Sequence, residues 1–249
     1  MIQEIRIKNY LSFRDEVVLS FEATKDTTFE ESQVVNVTPK VRLLRFALIY
    51  GANASGKSNL LKAMDFLRDF WFDKKSDIDE DTGVVPFLLD TETPNEPSEF
   101  NIKFFVDDKR YWYTLVLNDK QVIKENLYVY NSVQPSLVFS RELDGTASLI
   151  KLNASLVKAN ATIVEQLNVK CLSNMSFFAA RNQVNCSLAY IDEVRDWMKN
   201  NMMPIIEPGT RMFEYAGKQM EKNAELKAYI LDFVHKADYN ITDVYTERE

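Results

Sequence analysis

The chain has 249 residues, of which 46% are hydrophobic and 12% aromatic, enough to bury a core in one large or two modest domains. Its 30 lysine and arginine residues against 37 aspartate and glutamate residues give a formal charge of −7. No global basic field therefore indicates a nucleic acid or an anionic membrane as partner, although a local basic groove remains open.

Two further features of the sequence limit the class of protein. The N-terminus is alternating and charged, unlike a signal peptide, and no apolar run approaches the length of a membrane span, so the sequence predicts a cytoplasmic protein with no membrane partner. Cys171 and Cys186 have no metal-ligand spacing, and we interpret them as reduced thiols.

The first predicted element is a β-hairpin. Residues 2–7 and 16–21 alternate apolar and polar side chains around a charged break, which is typical of two paired strands. Residues 23–40 are polar and predict a loop.

A phosphate-binding loop follows, in the context that such a loop requires. The octet with G-x-x-x-x-G-K-[ST] spacing is Gly51, Ala52, Asn53, Ala54, Ser55, Gly56, Lys57 and Ser58. The apolar run at residues 46–50 predicts a strand buried on both faces of a parallel sheet, and Asn59 leads into leucines at helical spacing. Because strand, loop and helix agree, nucleotide binding is favoured over a chance glycine-containing turn.

The residue types fit this chemistry. Gly51 and Gly56 let the chain wrap closely around a phosphate, while loop N–H groups and the positive end of the following helix point at it. Lys57 is expected to reach the β- and γ-phosphates as the catalytic residue, and the Ser58 hydroxyl to ligate Mg²⁺. The predicted cofactors are therefore ATP and Mg²⁺, with residues 51–59 binding the nucleotide.

From about residue 100 onward, the spacing of apolar residues changes from a helical period to an alternating one. Aromatic and β-branched runs at residues 100–106, 111–117, 122–130 and 136–143 predict an antiparallel meander. Its aromatic side chains suggest a base-stacking platform, but half of them must face a core, so packing is the favoured interpretation.

Beyond residue 153 the pattern is mainly helical. Helices are predicted at residues 154–167, 190–202 and 221–236, with a short strand at 241–245. The chain thus divides into a nucleotide-binding lobe at residues 1–152 and a mainly helical segment at 153–249.

Hydrolysis requires an acidic residue at the end of a second buried strand, and residues 188–193 offer Asp192 and Glu193 after an apolar run. Ile191, Val194 and Trp197 fall on one helical face, so a helix that turns both acids to solvent is favoured. Gln183 is a candidate sensor of metal and phosphate, but a polar helix-end residue is favoured. His235 is interpreted as a packing or surface residue.

Residues 5–13 and 49–63 resemble the cassette-type ATPases grouped with RecF and structural-maintenance-of-chromosomes proteins. Within that group the chain is most similar to bacterial AAA-labelled ATP-binding proteins related to overcoming-lysogenisation-defect nucleases, several of which act in phage defence. The resemblance implies an α/β fold with an ABC-ATPase head-like P-loop core, an antiparallel β lobe and a helical C-terminal part.

The resemblance also implies a mechanism and partners. ATP would be sandwiched in a head-to-head homodimer and hydrolysed to drive an effector such as a nuclease or toxin. The family's signature turn, acidic strand and switch residue are expected beyond Glu249, in a longer ATPase. Asn53 would lie near the γ-phosphate, and the nucleotide would be bordered by Asn9, Ser12, Phe13 and Arg14. The alternatives are a DNA-repair ATPase of the RecF type, with nucleic acid as partner, and a regulatory module that holds ATP without cleaving it.

Overall fold

The computed structural model describes residues 1–207, 209–237, 239, 241–243 and 245. It contains two compact units, Met1–Ile205 and Ile206–Glu249. The division predicted between residues 152 and 153 falls inside the first unit.

The fold is mixed α/β, as predicted. The strands are β1 (Ile2–Lys8), β2 (Val17–Ser20), β3 (Val34–Thr38), β4 (Val41–Leu44), β5 (Ser98–Val106), β6 (Lys109–Leu117), β7 (Val122–Tyr130), β8 (Ser136–Asp144) and β9 (Ala147–Leu152). The helices are α1 (Glu30–Gln33), α2 (Lys57–Phe70), α3 (Ala161–Lys170), α4 (Phe177–Arg181), α5 (Ile191–Asn201), α6 (Phe213–Lys222) and α7 (Ala224–Lys236). None of these helices, over the described ranges, is both long enough and apolar enough to cross a lipid bilayer.

One large antiparallel sheet organises the first unit. Its seven strands lie in the order β2-β1-β5-β6-β7-β8-β9, and β3 pairs with β4 in a separate hairpin. The predicted N-terminal hairpin and the predicted meander are both confirmed. Strand β9 was not predicted, although Ser148 and Ile150 alternate toward the core after the left-handed turn at Gly145 (φ 63°).

The period-two pattern of the meander decides which face of the sheet is buried. On β6, Tyr111 and Tyr113 are completely buried while Trp112 between them is more exposed, and Phe104, the partner of Tyr111 on β5, is also completely buried. Alternate side chains of a strand point to opposite faces, so these positions mark the inner face of the sheet. The other face, which carries Trp112 and Lys103, is the outer face.

Helices cover the inner face. Helix α2 buries Leu60, Ala63, Leu67 and Phe70, whose spacing of three and four residues places them on one side of the helix. Burying a large apolar side chain contributes about 1.5–3 kcal/mol, so this contact holds the helix in place.

Helix α5 confirms the helical interpretation of residues 190–202. Its apolar stripe buries Ile191, Val194, Trp197 and Met198, and the Trp197 ring stacks on Phe104 of β5 at 4.3 Å between centroids. The prediction that Asp192 turns to solvent is wrong, because its carboxylate accepts hydrogen bonds from the Leu188 amide at 2.8 Å and the Arg181 guanidinium at 3.0 Å. It therefore ties the start of α5 to the segment before the helix and to α4.

The predicted buried strand at residues 46–50 is wrong. These residues form no strand, and the side chains of Phe46, Leu48 and Tyr50 are 64%, 74% and 86% exposed. The prediction placed this strand in a parallel sheet, whose two faces are covered, but every strand pairing among the described residues is antiparallel. The apolar composition indicated burial but could not supply the neighbours.

The predicted loop at residues 23–40 is correct only in its first part. The chain forms the short helix α1 and then β3, which pairs with β4. The first cross-strand pair joins Val34 to Leu44. Val34 and Leu43 are buried, so apolar contacts hold this hairpin. The sequence did not predict it because most residues of the segment are polar.

Helix α3 starts later than predicted, because the Asn160 side chain accepts a hydrogen bond from the Ile163 amide at 2.9 Å and fixes the first turn. In the second unit, the helix predicted at residues 221–236 is confirmed as α7 over residues 224–236, while residues 221 and 222 end α6, which was not predicted. Asn223 separates the two helices and caps α7 by accepting a hydrogen bond from the Leu226 amide at 3.0 Å. The strand predicted at residues 241–245 includes Val244, which lies outside the described residues, and residues 241–243 and 245 are not in a strand.

Candidate functional site

The octet forms a loop that ends where helix α2 begins. Residues 51–55 are exposed and contain no regular secondary structure, and α2 starts at Lys57. Two of the loop residues, Ala54 (φ 61°) and Gly56 (φ 89°), have left-handed backbone angles. Left-handed residues interleaved with ordinary ones turn successive N–H groups toward one concave side, which is the geometry of an anion-binding nest.

The two glycines contribute to the loop in different ways. Gly56 takes a left-handed angle, as expected, but Gly51 does not. A Cβ at Gly51 would instead lie 3.3 Å from the Ser55 hydroxyl oxygen, so its contribution is space for a close approach. Ala54 takes the left-handed angle instead, and the sequence contains no signal for this because alanine normally avoids it.

The first turn of α2 supplies the second half of the site. Its first N–H groups have no carbonyl within the helix to bond, and they carry the positive end of the helix dipole. Ser58 lies in this turn with its side chain exposed, while Leu60 and Ala63 anchor the same helix in the core. A rigid helix therefore presents both amide donors and a hydroxyl beside the loop.

Lys57 places its charge within the loop. Its ammonium nitrogen donates hydrogen bonds to the carbonyl oxygens of Gly51 at 2.9 Å and Ala52 at 2.6 Å. The side chain thus folds back over residues 51–55 of the loop. Phosphate oxygens accept hydrogen bonds as these carbonyls do, but with a full negative charge, so they can replace the carbonyls as partners of the ammonium group.

The turn of the N-terminal hairpin borders the loop. The Asn59 amide donates a hydrogen bond to the Ser12 hydroxyl at 2.8 Å. A Cβ built on Gly56 would lie 3.0 Å from both the Phe13 ring and the Ser12 hydroxyl oxygen. The hairpin turn and the phosphate-binding loop are therefore in direct contact.

Asn9 and Arg14 do not share this position. The Asn9 side chain is buried, donates to the carbonyls of Thr93 and Glu96 and accepts from the Phe87 amide, so its role is to fix a neighbouring loop. Arg14 forms an ion pair with Asp90 at 3.1 Å. The structure gives both residues partners elsewhere, so the expectation that they border the nucleotide is not supported.

Gly56→Ala is expected to damage both the fold and the site. A left-handed alanine costs about 1–2 kcal/mol, and its Cβ would also press on Phe13 and Ser12, displacing the start of α2. Chemical denaturation should show a larger loss of stability than for Gly145→Ala, a matched change at φ 63° whose Cβ meets nothing within 4 Å. Equal losses in the two variants would contradict the steric part of this account.

The remaining candidates lie outside the loop. Gln183 follows α4 and its side chain donates to the Ala179 carbonyl at 3.4 Å, which agrees with a helix-end residue. His235 is an exposed residue in the last turn of α7. Glu193 pairs with Lys109 at 2.8 Å, and both cysteines are free thiols.

The loop fits a nucleoside triphosphate with its Mg²⁺. It combines an exposed concave backbone, unpaired amides at a helix start, one ammonium group and one exposed hydroxyl that is suited to a hard cation. Over the described ranges, no group of three or more histidine, cysteine, aspartate or glutamate side chains is arranged to hold a metal ion by itself. Magnesium would therefore be held chiefly through the nucleotide's phosphates, with Ser58 as the protein ligand.

Comparison with known families agrees with this geometry. Residues 46–151 match a family model described as "AAA domain, putative AbiEii toxin, Type IV TA system". The matched segment begins before the phosphate-binding loop and ends in β9, so it includes the loop, α2 and the meander. No curated protein matches the chain. The match covers less than half of the chain and supports a nucleotide-binding module of the AAA type over the matched residues.

Proposed function

We propose that this chain binds ATP with Mg²⁺ through residues 51–59. The observation that carries the proposal is the position of the Lys57 ammonium group, held by the loop's own carbonyls where it would meet the β- and γ-phosphates. Loop amides and the first N–H groups of α2 would bind the phosphate oxygens, Ser58 would ligate the metal, and Asn53 would lie near the γ-phosphate. Bound Mg²⁺ would neutralise phosphate charge.

Isothermal titration calorimetry with ATP and Mg²⁺ tests this proposal. We expect saturable heat with ATP and much weaker binding of AMP, because the loop contacts would be made to the phosphate chain beyond the α-phosphate. Omitting Mg²⁺ should also weaken ATP binding. Equal affinities for ATP and AMP would contradict a phosphate-directed site.

We further propose that ATP promotes a head-to-head homodimer, and that hydrolysis in this dimer drives a defence or DNA-processing effector in the cytoplasm. The support is the resemblance to RecF-like and SMC-like ATPases together with the matched family description. Sedimentation velocity with a slowly hydrolysed ATP analogue should then show a dimer that AMP does not induce.

A module that holds ATP without cleaving it is the second candidate. The favouring observation is that Asp192 and Glu193, the acids that the sequence offered for hydrolysis, lie on helix α5 and are engaged by Arg181 and Lys109. Phosphate release separates the candidates. ATP-dependent dimerisation without phosphate release would favour the non-hydrolysing module, whereas release that rises steeply with protein concentration would favour hydrolysis across the dimer.

A further inference from the structure

The outer face of the sheet carries an aromatic and basic cluster that the nucleotide site does not use. Trp112 on β6 and Tyr128 on β7 are cross-strand partners whose rings stack at 4.9 Å between centroids and 25° between planes. The Lys103 ammonium lies 5.9 Å from the Trp112 ring, and the Arg110 guanidinium lies 4.5 Å from the Tyr130 ring. These five residues form the outer-face cluster.

The cluster is ordered by the register of the sheet. Lys103, Trp112 and Tyr128 lie side by side across β5, β6 and β7, and Arg110 and Tyr130 form the adjacent row. Rows on one face of an antiparallel sheet are separated by two residues, or about 6.8 Å along the strands. The face therefore presents aromatic rings in two parallel rows, each row with a cation.

The rings remain partly exposed, unlike the aromatic residues of the inner face. Of the three tryptophans, Trp71 is completely buried and Trp197 is 8% exposed, while Trp112 is more accessible. A cavity of about 240 Å³ opens beside it, lined by Glu4, Arg6, Glu16, Asn101, Lys103 and Trp112. A planar ligand therefore has access to the edge of the cluster.

Charge on this face differs from that of the chain as a whole. The outward positions of the strands carry six basic residues, Arg6, Lys8, Lys103, Arg110, Lys124 and Lys151. They carry four acidic residues, Glu4, Glu99, Glu142 and Asp144. Glu16, just before β2, pairs with Arg6 at 3.0 Å and lines the same cavity, so the face carries six basic against five acidic groups, whereas the chain has a formal charge of −7.

The basic groups on this face differ in how far they are already paired. Lys103 pairs with the largely buried Glu4 at 3.0 Å, and Arg6 pairs with Glu4 at 2.8 Å and with Glu16 at 3.0 Å. Lys8 and Lys124 pair with Glu99 and Glu142 at 3.1 and 3.6 Å, but these pairs are substantially exposed, and exposed pairs contribute at most about 1 kcal/mol. Among the described residues, no carboxylate lies within 4.0 Å of the Arg110 guanidinium. Arg110 therefore has its charge free for a phosphate while its plane rests on Tyr130.

We propose that the outer-face cluster binds single-stranded nucleic acid. Bases would stack on the Trp112, Tyr128 and Tyr130 rings. Arg110 would contact the phosphate backbone, and Lys103 would do so by exchanging Glu4 for a phosphate. Rings beside cations on a sheet face suit this ligand, because every base offers a flat surface and every nucleotide a negative charge. A duplex hides its base faces and could use only the cations. This proposal is independent of ATP binding at Lys57.

Fluorescence anisotropy with labelled (dT)20 and (U)20 at low salt tests the proposal, and the two probes separate DNA from RNA. Trp112→Ala should weaken binding of the preferred strand by roughly 5- to 150-fold, because the variant loses the stacking free energy of the base on this ring. Trp112→Phe should retain most of the affinity. Arg110→Gln should reduce the salt dependence of log K by about one unit of slope.

Two surface variants serve as controls. Phe29→Ala removes a ring that is 73% exposed on a loop outside the sheet, and Lys120→Ala removes an exposed charge from the turn between β6 and β7. Both should bind as the parent chain does. Tryptophan emission should be quenched on binding in the parent protein and not in Trp112→Phe, which assigns the quenching to Trp112 rather than to Trp71 or Trp197. Circular dichroism should verify that each variant is folded.

Several results would overturn the proposal. They are no anisotropy change with either strand at low salt, equal binding by Trp112→Ala and the parent chain, or binding of a duplex that is as tight as that of single strands. Self-association that Trp112→Ala abolishes, without any binding of oligonucleotide, would assign the cluster to a protein interface instead. Unaltered ATP binding by Trp112→Ala would keep this result separate from the nucleotide site.

Discussion

Replacing Lys57 with alanine is expected to weaken ATP binding by about 10- to 150-fold. A hydrogen bond to a charged group contributes about 1.5–3 kcal/mol, and each 1.4 kcal/mol is a factor of ten in affinity. The ammonium group already lies against the loop carbonyls of Gly51 and Ala52, so little conformational entropy is lost when it turns to a phosphate. Calorimetry with ATP and Mg²⁺ measures the effect.

Lys62→Ala is the matched control for this experiment. It removes the same charge from an exposed position of the same helix, five residues further from the loop. Both variants therefore change the net charge of α2 by the same amount. Its affinity for ATP should change by less than threefold, on the scale of about 0.5 kcal/mol for exposed charges. Unchanged affinity in Lys57→Ala, with far-ultraviolet circular dichroism intact, would contradict the proposed site.

Replacing Arg141 with methionine is expected to cause the largest loss of stability, about 3–5 kcal/mol near neutral pH. Arg141 and Glu125 are completely buried neighbours on β8 and β7, with 3.5 Å between the guanidinium and the carboxylate. Glu125 also accepts from the Tyr113 hydroxyl and the Phe177 amide, and Arg141 donates to the carbonyls of Leu172 and Ser173. This network fixes residues 172–177 to the inner face, so loss of the guanidinium would leave a buried carboxylate without its cation.

The loss should depend on pH. Burial raises the pKa of Glu125 above its ordinary value of 4.5, and Arg141 opposes that rise, so removing Arg141 raises the pKa further. A carboxyl group whose pKa is higher in the folded than in the unfolded state favours folding when it is protonated. The stability of Arg141→Met should therefore fall as the pH rises above about 4.5 and partly recover in acid.

Two further variants test whether the buried charge is responsible. The double variant Glu125→Gln with Arg141→Met should recover part of the lost stability and lose the pH dependence, because no buried carboxylate remains. Lys124→Met breaks the exposed pair with Glu142 on the same two strands and should cost no more than about 1 kcal/mol. If Arg141→Met costs no more than Lys124→Met, the network does not hold the fold.

The local sequence determined the elements whose stabilising contacts lie close together in the chain. The spacing of Leu60, Met64 and Leu67 predicted α2, and the alternation in residues 100–117 predicted β5 and β6, because a helix face and a strand face repeat with fixed periods. The glycine, lysine and serine spacing predicted the loop in the same way. Each of these patterns lies within a short stretch of consecutive residues, so the sequence alone shows it.

The tertiary structure decided what lies beside each element. The run at residues 46–50 looked like a buried strand, but burial depends on neighbours that its own composition cannot provide. The folded chain brings Ser12 and Phe13 against Gly56, and it brings Arg141 against Glu125. These residues are far enough apart in the sequence that the spacing of apolar residues does not predict their contact. The alternation of the meander placed half of its aromatic residues on each face, but only the assembled sheet showed that Trp112, Tyr128 and Tyr130 share the partly exposed face with two cations.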